Sequence, residues 1–408
     1  MNRAKVSSIL SPASTHSEQY WTLSPASCES ALELVRVVCT RAMEHDFSNL
    51  SDRRSMGAVA LLLAVASNAL QENAYGARGL ELMDDALAGV DLGDHSLFSG
   101  ATGLVWKAAE VDALLGMNEY ASIAADYDES LSEKLSGHAH WPGHYELING
   151  LTGIGVYAFA RRLEGHGGAL QEQVLKHLRA MATWTDEGCC WVTTRSMLAP
   201  GFTWPAASEE SFIDLGIAHG NAGVISLLAA IVEQEQDNAD ARALLAAAVS
   251  WYTAQQRPDF TQGVFGYRAG DQTLSRGAWC YGDFSAAWAL LCAGRALDDS
   301  HLNNFGLNLL RQASARTGES LAISDPWFCH GYAGLSHLAR RAASIFQETT
   351  LMVVAQRYFE LSLDLARPLA HQAHLDWSLL EGIVGNCLCY LDTCGLIQRR
   401  WDRQLLVS

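Results

Sequence analysis

Six segments of this sequence share a pattern that places reactive side chains at matching positions. Each has a glycine that is preceded by a characteristic residue pair and followed by a run of small and apolar residues. The glycines are Gly100, Gly150, Gly220, Gly282, Gly331 and Gly382. The preceding pairs are Phe98-Ser99, Ile148-Asn149, Ala218-His219, Cys280-Tyr281, Cys329-His330 and Leu380-Glu381. Cysteines and histidines therefore recur at equivalent positions, and thiols and imidazoles are groups that bind metals or move protons.

Two of the cysteines and one histidine of this set predict a zinc site. Cys280, Cys329 and His330 would form a Cys₂His set, and catalytic zinc sites use three protein ligands and leave a fourth position open. The alternative is that the cysteines pack in the core and the histidine caps a helix. A structural zinc would need a fourth protein ligand, and Cys387 and Cys389 are expected to lie too deep along their helix to supply it.

The apolar runs after the glycines predict helices that are buried on all sides. Amphipathic stretches such as 240–256 and 351–366 lie between them and suit an outer layer. We therefore predict an all-α fold, an α/α toroid of two concentric layers of about seven helices each, with an open superhelix of hairpins as the alternative. Residues 57–70 are the candidate for an inner helix that lacks the glycine pattern. In a closed ring the inner helices begin at one end, so the residues before the glycines would meet at one mouth.

The whole chain, residues 1–408, is interpreted as one domain with a small insertion. Residues 184–214 lie in the longest gap between two of the glycines and are rich in aromatic residues, threonine, proline and glycine. This composition is typical of short strands and turns, so we expect a small β-containing insertion there. His138, His140 and His144 lie in a segment with Pro and Gly between them and are expected to form a loop at the mouth.

Composition and charge exclude several classes of function. The chain has 408 residues, of which 49% are hydrophobic and 18% charged, and its formal net charge is −17. Binding of nucleic acid needs a basic face, so such a partner is not expected. The hydrophobic run 57–70 is too short to span a bilayer. The first residues contain no apolar stretch of the length of a secretory signal, so we expect a cytoplasmic protein.

Three segments resemble the motifs of a known family. They are SRGAWCYGD (275–283), CHGYAGL (329–335) and AHGNAG (218–223), and they resemble motifs of the lanthionine-synthetase C-like family. WCYG followed by CHG resembles in particular the stand-alone cyclases of class I lanthipeptide pathways. The resemblance extends from Ser99 to Tyr390 through the glycine repeats.

The resemblance implies a fold, a cofactor and a reaction. The fold is an α/α toroid of seven helical hairpins, and the cofactor is a zinc ion held by the residues that match Cys280, Cys329 and His330. The implied reaction adds the thiolate of a peptide cysteine to the β-carbon of dehydroalanine or dehydrobutyrine. The product is the thioether ring of lanthionine or methyllanthionine.

The resemblance also implies roles for individual side chains. His219 matches the catalytic histidine, which donates the proton to the α-carbon or deprotonates the thiol. Arg276 matches an arginine that stabilises the enolate oxygen or orients a neighbour. Tyr281 is expected either to hydrogen-bond to the intermediate or to pack on the metal site. Glu146 stands where many of these cyclases have aspartate, and its pairing with His219 or Arg276 is expected to persist with altered geometry.

The chain departs from the family a second time at Ser285 and Ala286, where Pro-Gly is usual. This departure is expected to affect the start of a helix and leaves altered or reduced activity open. The implied partner is a dehydrated precursor peptide with its leader, together with the dehydratase and the exporter of the same pathway, which would bring the protein to the membrane periphery. Two other functions stay open, namely addition of a small thiol such as glutathione to dehydrated residues, and a non-catalytic zinc scaffold. A carbohydrate-active toroid would need paired carboxylates at the mouth.

Overall fold

A computed structural model describes residues 23–197, 210–257, 263–397 and 400–408. The N-terminal segment on which the expectation about a secretory signal depends lies outside these residues. Residues 198–209 of the predicted insertion also lie outside them.

The described residues form fourteen α-helices in two layers. The inner helices are α2 (Leu50–Leu70), α4 (Ala101–Leu115), α6 (Leu151–Leu163), α8 (Asn221–Gln234), α10 (Gly282–Leu297), α12 (Tyr332–Phe346) and α14 (Ile383–Thr393). The outer helices are α1 (Pro25–Glu44), α3 (Asn73–Ala88), α5 (Ala121–Ser136), α7 (Gly168–Met181), α9 (Ala239–Thr253), α11 (Ser300–Ala315) and α13 (Thr349–Ala370). The prediction of an α/α toroid is confirmed.

The inner helices form a closed ring because each packs against the next in chain order and α14 packs back against α2. Six hairpins pair an inner helix with the outer helix that follows it. The seventh hairpin joins the two ends of the chain, since α1 packs against α14. The run 57–70 belongs to α2, so the inner helix without the glycine pattern is found where the hydrophobic sequence predicted it.

The two layers differ in burial as their sequences predict. Helix α8 (NAGVISLLAAIVEQ) is buried on nearly every side. Helix α7 instead buries one face through Leu170, Val174 and Leu178, whose spacing of four residues places them on one side of a helix. Full burial of such a side chain stabilises the fold by about 1.5–3 kcal/mol.

Two small antiparallel sheets lie at the predicted insertion. Strands β1 (Thr183–Thr185) and β2 (Gly188–Cys190) pair with each other, as do β3 (Thr193–Thr194) and β4 (Ser211–Phe212). Strand β2 packs on α9, so this segment lies against an outer helix. The helices that the structure describes include none with the length and hydropathy of a membrane span.

The last residues of the chain lie inside the ring. The indole Nε1 of Trp288, on α10, donates to the Leu406 carbonyl at 2.7 Å, while Arg400 forms an ion pair of 2.9 Å with Glu110 on α4. Because α4 and α10 are not neighbours in the ring, a segment that contacts both must cross its centre. Trp401, Leu405 and Val407 are buried accordingly. We name residues 401–408 the C-terminal plug.

Candidate functional site

The loop before each inner helix is held by a repeated turn that explains the glycine pattern. In four of the six repeats an aspartate stands six residues before the glycine: Asp94, Asp214, Asp325 and Asp376. In each case its carboxylate accepts from the backbone N–H two residues on, at 2.8–3.1 Å, and its carbonyl accepts from the first residue of the helix. A side chain on Gly100 would lie 2.4 Å from the Asp94 carbonyl oxygen, so the loop can close only on glycine. These aspartates were not among the predicted residues, although their spacing is readable in the sequence.

Backbone hydrogen bonds join these loops to one another around the ring. The bonds run from Leu97 N to Ile148 O, Leu147 N to Ala218 O, Ala218 N to Cys280 O, Cys280 N to Cys329 O and Cys329 N to Leu380 O, over 2.8–3.5 Å. Each links the residues just before one glycine to those just before the next. The pre-glycine residues of the six repeats therefore meet at one end of the toroid, which we call the mouth.

Cys280, Cys329 and His330 form a compact group at the mouth. One ligand atom from each residue lies within 4.8 Å of the other two. The two thiols are more than nine-tenths buried, whereas the His330 side chain is 27% exposed. A hydrogen bond to Cys280 and burial raise the pKa of the Cys329 thiol, so without a cation this thiol keeps its proton. The group is held by packing on one side and opens towards solvent on the other.

The donor set of this group fits a zinc ion. Two thiols and one imidazole are the ligand types that zinc prefers, and their mutual spacing allows one cation to contact all three. Carboxylates flank the imidazole, since Asp325 lies 3.7 Å from Nε2 of His330 and Glu381 lies 3.6 Å from Nδ1. Such carboxylates orient a histidine ligand and raise its basicity. Cys387 and Cys389 are not members of the group, and both are buried within α14.

His219 lies at the mouth on a buried carboxylate. Its Nδ1 atom is 2.6 Å from Oε2 of Glu146, whose side chain is only 1% exposed. The carboxylate is fixed in turn because it accepts hydrogen bonds from the backbone N–H groups of Ile148 and Asn149. Burial opposes a charge on the imidazole, but the hydrogen bond and the negative charge of Glu146 outweigh it and raise the pKa of His219. Of the two partners predicted for Glu146, His219 is therefore the one to which it is hydrogen-bonded.

Tyr281 is tied to a carboxylate that was not predicted as a site residue. Its hydroxyl donates to Oδ2 of Asp214 at 2.7 Å, and its ring lies 6.4 Å from the ring of His219. Burial raises the pKa of Asp214 to about 6, although the hydrogen bonds from Gly216 and Tyr281 act in the opposite direction. The hydroxyl is therefore occupied within the protein, and the ring of Tyr281 forms part of the wall beside His219.

Arg276 lies close to the two thiols. Burial opposes its charge, whereas a hydrogen bond with Tyr267 and the neighbouring Cys280 and Cys329 favour it, so the pKa of Arg276 is raised. Tyr267 also packs edge-on against Tyr281, with ring centroids 5.4 Å apart. Tyr267 was not predicted as a site residue, and no recurring motif marks it. It lies in residues 263–281, the described segment that precedes α10.

Ser285 connects the helix after Cys280 to the loop that carries His219. Its buried hydroxyl accepts from the backbone N–H of Ile217 at 2.9 Å. Ile217 is two residues before His219 in the chain. Ser285 stands where the family usually has Pro-Gly and lies in the first turn of α10. Its hydroxyl therefore adds a hydrogen bond between two neighbouring repeats.

Comparisons with known proteins agree with this architecture. The family model described as lanthionine synthetase C-like protein matches residues 55–406. The solved structure of nisin cyclase superposes with a TM-score of 0.74 at 20% sequence identity, covering 93% of this chain and 97% of that one. No curated protein sequence gives a significant match.

Proposed function

The chain belongs to the lanthionine synthetase C-like family, and on that premise we propose that it is a zinc-dependent lanthipeptide cyclase. Its substrate would be a dehydrated precursor peptide, and its work would lie in the cytoplasm. The observation that carries the proposal is the convergence of Cys280, Cys329 and His330 within 4.8 Å at the same mouth as the His219–Glu146 pair. The likeness to nisin cyclase supports the fold that brings these residues together.

Cys280, Cys329 and His330 would hold the metal in this proposal. A zinc ion bound there supplies a Lewis acid that lowers the pKa of a peptide thiol, so that a thiolate exists near neutral pH. The buried thiols must release their protons when the metal binds, which makes metal affinity depend on pH.

His219 is the proposed proton carrier. Formation of the S–C bond at the β-carbon moves the π electrons of the dehydrated residue towards its carbonyl, and the α-carbon must then receive a proton. Glu146 engages Nδ1 of His219, which leaves Nε2 with no hydrogen-bond partner among the described residues. The raised pKa favours the protonated imidazole, in which Nε2 carries a proton that it could deliver to the α-carbon. The peptide loses one proton from the thiol and gains one at the α-carbon, so its mass is unchanged.

Arg276 would stabilise negative charge on the reacting peptide, and Tyr281 would help to position His219. The guanidinium of Arg276 keeps its positive charge beside Cys280 and Cys329. There it would stabilise the negative charge that develops on the enolate oxygen during addition. Tyr281 cannot offer its hydroxyl while it donates to Asp214, so we assign it a positioning role beside His219.

The test is an assay on a dehydrated peptide that contains one cysteine and one dehydroalanine. After incubation with the chain, the remaining thiols are alkylated and the peptide is weighed. A cyclase leaves the mass before alkylation unchanged and removes the alkylation site. Addition of a small thiol, supplied in a parallel reaction, raises the mass instead. A peptide that keeps its full alkylation and gains no mass from the small thiol would contradict an enzymatic role.

A further inference from the structure

A cavity of about 770 Å³ lies between α2, α3 and the start of α4. Phe98 and Ser99 line it, and both precede Gly100, so the cavity reaches the mouth. It does not include the Cys280–Cys329–His330 group, because α4 is separated from α10 and α12 by other inner helices on both sides of the ring. Cavities of this size are typical of sites that bind small ligands or peptide side chains.

The cavity is lined by a buried cation that has no counter-ion among the described residues. Lys107, on α4, is 3% exposed, and its hydrogen bond among the described residues is to the Gly103 carbonyl at 3.1 Å. No carboxylate of the described residues lies within ion-pair distance of its Nζ atom. A buried ammonium group is costly unless it is paired and hydrogen-bonded, and burial lowers the pKa of Lys107 to about 8. A pKa of about 8 favours the charged form at neutral pH, and this ammonium group has two N–H donors without a partner among the described residues.

A second cationic side chain lines the same cavity. Arg78, on α3, binds Glu81 through one terminal nitrogen at 2.9 Å, but its Nε–H is buried and has no partner among the described residues. Two cations on facing helices thus both retain unused hydrogen-bond donors. Apolar side chains, among them Phe47, Met56 and Leu82, complete the wall.

The carboxylates that line the cavity are engaged elsewhere. Asp46 accepts from Ser48, Asp91 accepts from the Gly93 N–H at 2.8 Å, and Asp94 accepts from the Ser96 N–H at 2.9 Å. These hydrogen bonds hold the three aspartates in their own loops, and neither they nor Asp85 forms an ion pair with Lys107 among the described residues. A carboxylate that enters the cavity would supply the counter-ion that Lys107 lacks within the described part of the chain.

We propose that this cavity binds a segment of a peptide through a carboxylate that contacts Lys107 Nζ and Arg78 Nε. Hydrogen bonds from charged donors to a carboxylate are short and strong, and the apolar wall suits the neighbouring parts of the segment. The inference rests on the proposed function. A peptide bound in this cavity at the mouth would extend across the mouth, so that its other residues reach Cys280, Cys329 and His330. The cavity would thus give this enzyme affinity for acidic positions of its substrate outside the residues that react.

The experiment measures binding alone, so its outcome is independent of ring formation. The full-length chain is immobilised and exposed to two synthetic pools of N-acetylated nonapeptide amides, random except for a central glutamate in one and a central glutamine in the other. Retained peptides are quantified by mass spectrometry. Lys107→Met removes the positive charge of Lys107 while keeping a side chain of similar volume. Ser99→Trp narrows the opening of the cavity at its exposed edge and leaves Lys107 in place. Lys176→Met, at an exposed position, is the matched control.

We expect the wild-type chain and Lys176→Met to retain the glutamate pool about tenfold better than the glutamine pool, a difference of about 1.4 kcal/mol. Both cavity variants should lose this preference. Lys107→Met should unfold at the same or a higher temperature than the wild type, since it removes an unpaired buried charge. Equal retention of the two pools by the wild type, or a preference that survives in Lys107→Met, overturns the proposal. Displacement of the peptides by an equal concentration of N-acetylglutamate amide would show a site for small acids and contradict the peptide assignment.

Discussion

The Nδ1 atom of His219 lies 2.6 Å from Oε2 of Glu146, a carboxylate that belongs to the neighbouring repeat and is almost completely buried. The two residues are 73 positions apart in the chain, and the packing of neighbouring repeats brings them together. The longer side chain of glutamate, at a position where the family usually has aspartate, therefore still reaches the imidazole.

Glu146→Gln should lower the pKa of His219. In the wild-type protein the carboxylate raises this pKa above its ordinary value of 6.5, against the effect of burial. With glutamine the effect of burial is opposed only by the weaker effects of Asp214 and Cys280, so the pKa of His219 should fall. Because the folded-state pKa is raised in the wild type, the pair stabilises the fold below about pH 6.5 and loses this contribution as the pH rises through the raised value.

The measurement is an NMR titration of the His219 ring in both proteins. Glu172→Gln, which removes an exposed carboxylate, is the control and should leave the titration of His219 unchanged. A His219 pKa that stays at its wild-type value in Glu146→Gln would show that the carboxylate does not set the charge of the ring.

His219→Ala should impair ring formation without loss of the metal. Removal of a general acid or base reduces the rate by about 10²–10⁴-fold, and His219 is not a member of the thiol group. We expect kcat for thiol consumption to fall by at least about a hundredfold at unchanged zinc content. Metal analysis and the alkylation assay on the same sample separate the two effects. A variant that loses both zinc and activity would place His219 among the residues that hold the metal site together.

Ser285→Ala should destabilise the fold by about 1–3 kcal/mol, because the buried N–H of Ile217 would lose its acceptor. The free energy of unfolding in urea measures this. Ser250→Ala, on the exposed side of α9, is the matched control and should change stability by less than about 0.5 kcal/mol. If Ser285→Ala and Ser250→Ala have the same free energy of unfolding, water replaces the hydrogen bond of Ser285 at no cost, which would contradict this prediction.

Asp402→Asn should destabilise the C-terminal plug. His337 Nε2 lies 2.9 Å from Oδ2 of Asp402 in the interior, and both side chains have no exposed surface. Burial lowers the pKa of His337 in spite of Asp402, so near neutral pH the carboxylate is held by this hydrogen bond and by Arg340 and Arg341. Removal of a buried charge from such partners costs about 3–5 kcal/mol. Burial opposes the charge of Asp402, but His337 and the nearby arginines outweigh it and lower its pKa to about 2.

The pH dependence of this variant has a definite sign. A depressed aspartate pKa contributes stability above the unfolded value of 3.8 and loses it as the pH falls towards 2. The difference in unfolding free energy between the wild type and Asp402→Asn should therefore not narrow from pH 8 to 5. A difference that already narrows between pH 8 and 6 would contradict an ionised Asp402 at neutral pH.

The sequence predicted the ring and the residues at its mouth because both follow from a repeat. Equivalent positions in a closed ring must meet, so the repeat alone was enough to place Cys280, Cys329, His330 and His219 together. Contacts made by elements outside the repeat could not be derived in this way. Tyr267 reaches Arg276 from an irregular loop, and the C-terminal plug crosses the ring as a short segment with no periodicity.

Asp214 is an intermediate case. Its spacing from Gly220 repeats in four segments and predicts a turn, which the structure shows. Its bond to Tyr281 depends instead on how two neighbouring loops pack, and that distance cannot be read from either loop alone.

Removal and return of zinc decides whether the Cys280–Cys329–His330 group drives ring formation through a metal. Thiol consumption from a dehydrated peptide is measured for the chain as isolated, after chelation, and after zinc is added back, with zinc content determined for each sample. We predict about one zinc per chain, loss of ring formation when it is removed, and recovery when it returns, while Cys329→Ala behaves as the stripped chain throughout. Ring formation at the full rate by a chain without zinc would contradict the proposed zinc dependence.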